Sequence, residues 1–130
     1  MIIRTAPDRN RSMSLLKMAE VTLKRLNETD KLKYPSNTLD DYYDIIHMLM
    51  EALALAEGIK VKGEGAHLEL IDFICKEHSM DKREFLQQLR TYRNRISYEG
   101  FSIKRDYIER NDARINGIIE HLSNLVRNRL

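Results

Sequence analysis

Tryptophan is absent, cysteine occurs once, and only two prolines and five glycines are spread over 130 residues. A single thiol excludes an internal disulfide, so the fold must be held by its core. Cys75 lies in the apolar segment LIDFICKE and reads as a buried, inert thiol of a reducing compartment. With so few chain-breaking residues, long helices joined by short turns are expected. No apolar run approaches the roughly 18 residues needed to span a bilayer, and the N-terminus lacks the apolar stretch of a signal peptide. The expectation is a cytoplasmic protein with no membrane partner. The histidines His47, His67, His78 and His121 show no HxxxH spacing and no CxxC partner. No metal site and no cofactor are therefore expected. The net charge is only +2, which excludes a chain that binds polyanions by bulk charge alone.

What is present is a helix-forming mixture, 42% hydrophobic and 32% charged, rich in Leu, Ile, Lys, Arg and Glu. A chain of this length forms one domain with a sizeable core, spanning 1–130. Charge is uneven along it. From Asp81 onward there are 11 Lys/Arg against 7 Asp/Glu, while the first 80 residues hold 11 against 13. The C-terminal part is the better place to meet phosphate.

Taken in order, residues 1–11 (MIIRTAPDRNR) read as an extended lead-in, with Pro7 blocking an early helix. Ser12 or Ser14 is placed to cap a first helix to about Lys31, with Leu15, Leu16, Ala19, Leu23 and Leu26 on one stripe. Thr38 is placed to cap a second, from about Leu39 to Glu57, that is apolar nearly all round and so central. Gly58 ends it. GIKVKGEGA reads as a basic connector, without phosphate-loop spacing. A third helix, about Ala66 to Glu77, buries Leu68, Ile71, Phe73 or Ile74, and Cys75. A fourth, about Lys82 to Ser97 and capped by Ser79 or Asp81, carries Phe85, Leu89, Tyr92 and Ile96 as an inward stripe. A fifth, about Ile103 to Asn128, turns Ile108, Ile115, Ile119, Leu122 and Val126 inward. No segment shows strand alternation. The fold class expected is all-α, an antiparallel bundle of about five helices.

The stretch Leu89 to Phe101, LRTYRNRISYEGF, carries the candidate chemistry. Arg90, Arg93 and Asn94 at the end of the fourth helix can grip a phosphate or a carboxylate. The structural alternative has Arg93 pairing with a carboxylate such as Asp44 or Glu99. Arg90, Arg93 and Ser97, three and four apart, share a helical face. Arg93 and Tyr98 are about 140° apart on an ideal helix, given 3.6 residues per turn. They can meet only if the helix unwinds near Ser97 or if a second subunit supplies one of them. As a lone residue, Tyr98 reads more readily as a packed or capping tyrosine than as a catalytic phenol.

Two stretches together resemble small prokaryotic proteins of the HEPN family. Tyr43 to Ile74 (YDIIHMLMEALALAEGIKVKGEGAHLELIDFI) is similar to the family's second and third helices, where an apolar helix passes through a short Lys/Gly loop into a helix that opens near a histidine, here His67. Arg93 to Gly100 (RNRISYEG) aligns with its Arg-Asn-x-x-x-His hallmark. The resemblance implies four core helices plus one, and a homodimer in which two such motifs face a shared cleft. In nuclease members, including toxins paired with nucleotidyltransferase antitoxins, the Arg and His cut RNA without metal; members lacking the histidine serve as binding or assembly modules. Arg93 and Asn94 match that motif, but Tyr98 stands at the histidine position. A free imidazole titrates at about 6.5 and a phenol near 10, so a phenol offers a proton donor and almost no base at neutral pH. Loss of a placed acid/base group forfeits roughly 100- to 10,000-fold in rate.

The expectation is therefore a HEPN-like dimeric module, non-catalytic or weakly active, that binds RNA, other nucleic acid or a nucleotide through Arg90, Arg93 and Asn94. If a catalytic set exists it is Arg93, Asn94 and Tyr98. The alternatives are a metal-independent ribonuclease toxin with a nucleotidyltransferase-type partner, and a purely structural protein-interaction module.

Overall fold

The computed structural model describes residues 1–130. Five helices carry the chain: α1 (Arg9–Asn27), α2 (Pro35–Ala56), α3 (Ala66–Glu77), α4 (Arg83–Glu99) and α5 (Arg105–Arg129). The fold is all-α, with one addition. Two short strands, β1 (Ile2–Arg4) and β2 (Ile59–Val61), pair antiparallel, Ile2 opposite Val61 and Arg4 opposite Ile59.

α2 is the axis of the molecule. Apolar residues occur around its whole circumference, so it buries side chains from Leu39 to Leu55 on every side, Tyr42, Ile45, Ile46 and Leu53 completely. α1, α5, α3, α4 and the ribbon all pack against it. One continuous cluster of 29 buried residues results, to which each fully buried Leu or Ile contributes about 1.5–3 kcal/mol. α5 delivers Ile108, Ile115, Ile119, Leu122 and Val126 to it, as its periodicity requires. α4 delivers Phe85 and Leu89, with Tyr92 and Ile96 packed at its margin.

The extended lead-in expected over residues 1–11 is corrected. Its first residues are a paired strand, and α1 already begins at Arg9. The cap is Asp8, whose carboxylate accepts from the Arg11 N–H at 3.1 Å. Ser12 is instead buried and donates to the Ala52 carbonyl at 2.7 Å, cross-linking α1 to α2. The ribbon answers a backbone need: a chain passing over the bundle must place its N–H and C=O groups, and β1 and β2 satisfy each other. Gly58 makes the junction possible. At φ +76° it accepts from the Thr5 N–H at 2.7 Å, and a Cβ there would meet the Thr5 carbonyl oxygen at 2.5 Å.

Three other boundaries differ. α2 starts at Pro35, which needs no N–H at N1, while Thr38 lies inside the helix and donates to the Lys31 carbonyl at 2.6 Å. α4 starts after Lys82 with no side-chain cap from Ser79 or Asp81. It then stays helical to Glu99, ending on left-handed Gly100 with the Phe101 N–H reaching back to the Arg95 carbonyl at 3.2 Å. In α3, Leu68 faces outward, 41% exposed, while Ile71, Ile74 and Cys75 are buried. Burial raises the Cys75 thiol pKa, and the neighbouring Asp72 adds to that, so an inert thiol is what the position supports.

Candidate functional site

α4 crosses α2 so that its last turns lie beside Asp40, Tyr43 and Asp44. Arg93 sits at the margin of the α4 core stripe and is therefore drawn against α2. Its guanidinium donates to the Ser97 hydroxyl one turn on and lies 3.5 Å from the Asp44 carboxylate. Glu99, the other carboxylate considered, pairs with Arg95 at 3.7 Å. Arg90, one turn back on the same face, has a different environment. Its Nε donates to Gln87 Oε1 at 2.7 Å, and Gln87 in turn donates to the Leu68 carbonyl and to Asp72, both at 3.0 Å. Arg90 is thus tied to the opening turn of α3, and no carboxylate claims its terminal nitrogens. Asn94 is half-buried on the same turn of helix.

Tyr98 is elsewhere. Because α4 does not unwind at Ser97, the helix rotation carries Tyr98 far round from Arg93, and its side chain is 85% exposed. It neither packs nor caps, which corrects the expectation for it. Within one chain Arg93 and Tyr98 do not share a site.

The position beside the arginines is filled by residues that the local sequence did not single out as a group. Tyr43 and His47, four apart on α2, and His67, in the first turn of α3, form a stack. The His47 and His67 rings are 4.0 Å apart at their centroids, and the Tyr43 ring lies 6.1 and 6.2 Å from them. Tyr43 Oη is 3.2 Å from His67 Nδ1. Burial pushes the Tyr43 phenol up to about 12, against the opposing pull of Arg90 and Arg93. At neutral pH the phenol therefore keeps its proton.

His47 is driven down to about 4, first by burial and then by the neighbouring His67 and Arg93, so it is neutral over the physiological range. Its Nδ1 is buried without a hydrogen-bond partner, as is one oxygen of Asp40. Asp40 is raised above the usual carboxylate range by burial, with Arg93 opposing and Asp44 and Asp41 adding to the rise. Arg93 thus faces two carboxylates, Asp44 and Asp40, and Arg90 pairs with none.

Only the i, i+4 spacing of Tyr43 and His47 is visible locally; His67 comes from a separate helix. The likeness to a family with a histidine near that helix start points to the residue but not to its partners. Nowhere do three or more His, Cys, Asp or Glu side chains gather closely enough to hold a metal ion. Set against models of known protein families, curated proteins and solved structures, the chain matches none of them.

Proposed function

We propose that the chain is a HEPN-like module that binds a phosphate of RNA or of a nucleotide without cutting it efficiently. The observation that carries this reading is the donor character of the groups around Arg90. Its own terminal N–H groups are free of carboxylate, and the Arg93 guanidinium is held one turn away on the same face. A phosphate oxygen accepts from such groups. Cleavage through a 2′-hydroxyl additionally requires a proton acceptor near neutral pH. His47 is buried and weakly basic, and Tyr98, at the place of the family's histidine, is a solvated phenol on another part of α4.

Arg93 supports the site in a second way. Paired with Asp44 and bonded to Ser97, it holds α4 against α2 and keeps Arg90 in place, so the phosphate contact falls mainly to Arg90. A homodimer, the arrangement that the family resemblance implies, is the one way in which Tyr98 of one subunit could approach Arg93 of the other.

Binding of a short labelled single-stranded RNA, measured against salt, tests the reading. A charged hydrogen bond contributes about 1.5–3 kcal/mol, so Arg90→Ala is expected to weaken binding by roughly tenfold or more. The log–log salt slope should fall by about 0.7 for one lost contact. Absence of RNA and nucleotide binding at low salt, or an affinity indifferent to Arg90, would remove the proposal. Incubation with RNA and EDTA decides the ribonuclease alternative, since cleavage that depends on Arg93 would establish it.

A further inference from the structure

Against the His47–His67 pair, both of which line it, lies a cleft of about 420 Å³ between the β2 wall and the α2/α3 pair. We propose that this cleft binds a small amphipathic organic anion, with its apolar body on Leu55, Ile59 and Leu70 and its anionic head at Lys60 and Lys62.

Three observations converge on it. The first is size: small-molecule sites run from about 300 to 1,000 Å³, and this cleft falls within that range. The second is the separation of its lining by chemistry. Leu55, Ile59 and Leu70 form an apolar floor and are themselves nearly fully buried, whereas the mouth carries Arg11, Lys60 and Lys62.

The third is charge. Glu51 is the only carboxylate in the lining, and Arg11 pairs with it at 3.3 Å. Lys60 and Lys62 are left as unpaired cations. Two residues apart on an extended segment, they project to the same side about 7 Å apart, a spacing that suits two contacts to one carboxylate or phosphate group.

The wall that carries these lysines is fixed before any ligand arrives. β2 is paired along its length with β1, the Lys62 N–H continues the ladder to the Met1 carbonyl at 2.9 Å, and Gly58 is bonded to Thr5 at the other end. Binding therefore need not order a loop, which is the usual cost of a site on a connector. His47 and His67 line the cleft, but neither Arg90 nor Arg93 does, so its cations are separate from those of the phosphate reading at α4.

The test uses the full chain and two probes that share a body and differ in head, 1-naphthyl phosphate and 1-naphthoate. The protein has no tryptophan, so naphthyl fluorescence is read without interference from indole. The expected result is saturable 1:1 binding of at least one probe, the tighter one naming the head as phosphate ester or carboxylate. Inorganic phosphate alone should compete weakly, because it lacks the body. Lys60→Gln/Lys62→Gln should weaken binding tenfold or more with the thermal melt retained, and Lys60→Glu/Lys62→Glu should do so further. Arg90→Ala should leave it within twofold. Absence of saturable binding of either probe, or equal binding by the folded double lysine variant, overturns the proposal.

Discussion

Acidification should destabilise this protein through His47, and the size of the effect can be worked from its environment. In the unfolded chain a histidine titrates at about 6.5; in the fold His47 is held at about 4 by burial and by the nearby His67 and Arg93. Between those values the unfolded chain binds a proton that the folded chain refuses. The contribution of neutral His47 is therefore fully present above pH 6.5 and is lost as pH falls toward 4. The whole difference is on the order of 3 kcal/mol, and the part falling between pH 7 and pH 5 is about 2 kcal/mol. Asp40 is raised, so its penalty is relieved on acidification and acts in the opposite sense at the acid end. Confining the comparison to pH 7 and pH 5 limits that contribution.

The assay is urea denaturation followed by circular dichroism at the two pH values, for the native chain and for His47→Leu. The substitution removes the ring stack and can change stability at pH 7. The quantity of interest is the loss between the two pH values, which should be smaller in His47→Leu by about 2 kcal/mol. An equal loss in both proteins would refute the claim that burial against His67 and Arg93 keeps His47 neutral.

Other substitutions probe the scaffold. Gly58→Ala places a Cβ at 2.5 Å from the Thr5 carbonyl in a left-handed residue, so it should cost more than about 2 kcal/mol, whereas Gly63→Ala, in open space, should cost about 1 kcal/mol. Thermal melts of the pair check this, at roughly 4 °C per kcal/mol for a chain of this size. Tyr42→Phe removes a phenol that bonds Asp112 and Asn116 from a fully buried ring, and should lower stability in the same assay by about 1–3 kcal/mol. Tyr98→Phe should leave the melt within about 0.5 kcal/mol and RNA affinity within twofold, because the phenol is solvated.

What the sequence revealed of this molecule follows from the reach of each signal. Hydrophobic periodicity is local and strong, so the α5 stripe, the α4 stripe and both ends of α3 agree with expectation. Gly58 and Gly100 were recognisable because a left-handed residue at a helix end has few alternatives to glycine. The ribbon was not legible: Ile2–Arg4 and Ile59–Val61 are short, and each becomes a strand only because the other lies beside it. Capping was misread where several polar residues competed, since Asp8 reaches the free N–H of Arg11 while Ser12 has a better partner in Ala52.

The candidate site divides along the same line. Arg90, Arg93 and Ser97 share a face because their spacing requires it. The Tyr43–His47–His67 stack joins two helices through side-chain contact, which no spacing encodes. Asp44 was foreseeable as a partner for Arg93, but its success over Glu99 depended on how α4 crosses α2.

The central claim is that Arg90, with Arg93 beside it, holds phosphate while Tyr98, solvated and turned away from Arg93, does not serve as the base that cleavage requires. Fluorescence anisotropy of a labelled single-stranded RNA in EDTA, with the same RNA afterwards run on a denaturing gel, tests both halves at once. The account predicts binding that weakens steeply between about 50 and 200 mM salt, falls roughly tenfold in Arg90→Ala, and returns the RNA at full length. RNA cut in an Arg90-dependent manner, or no binding even at the lower salt, would contradict it.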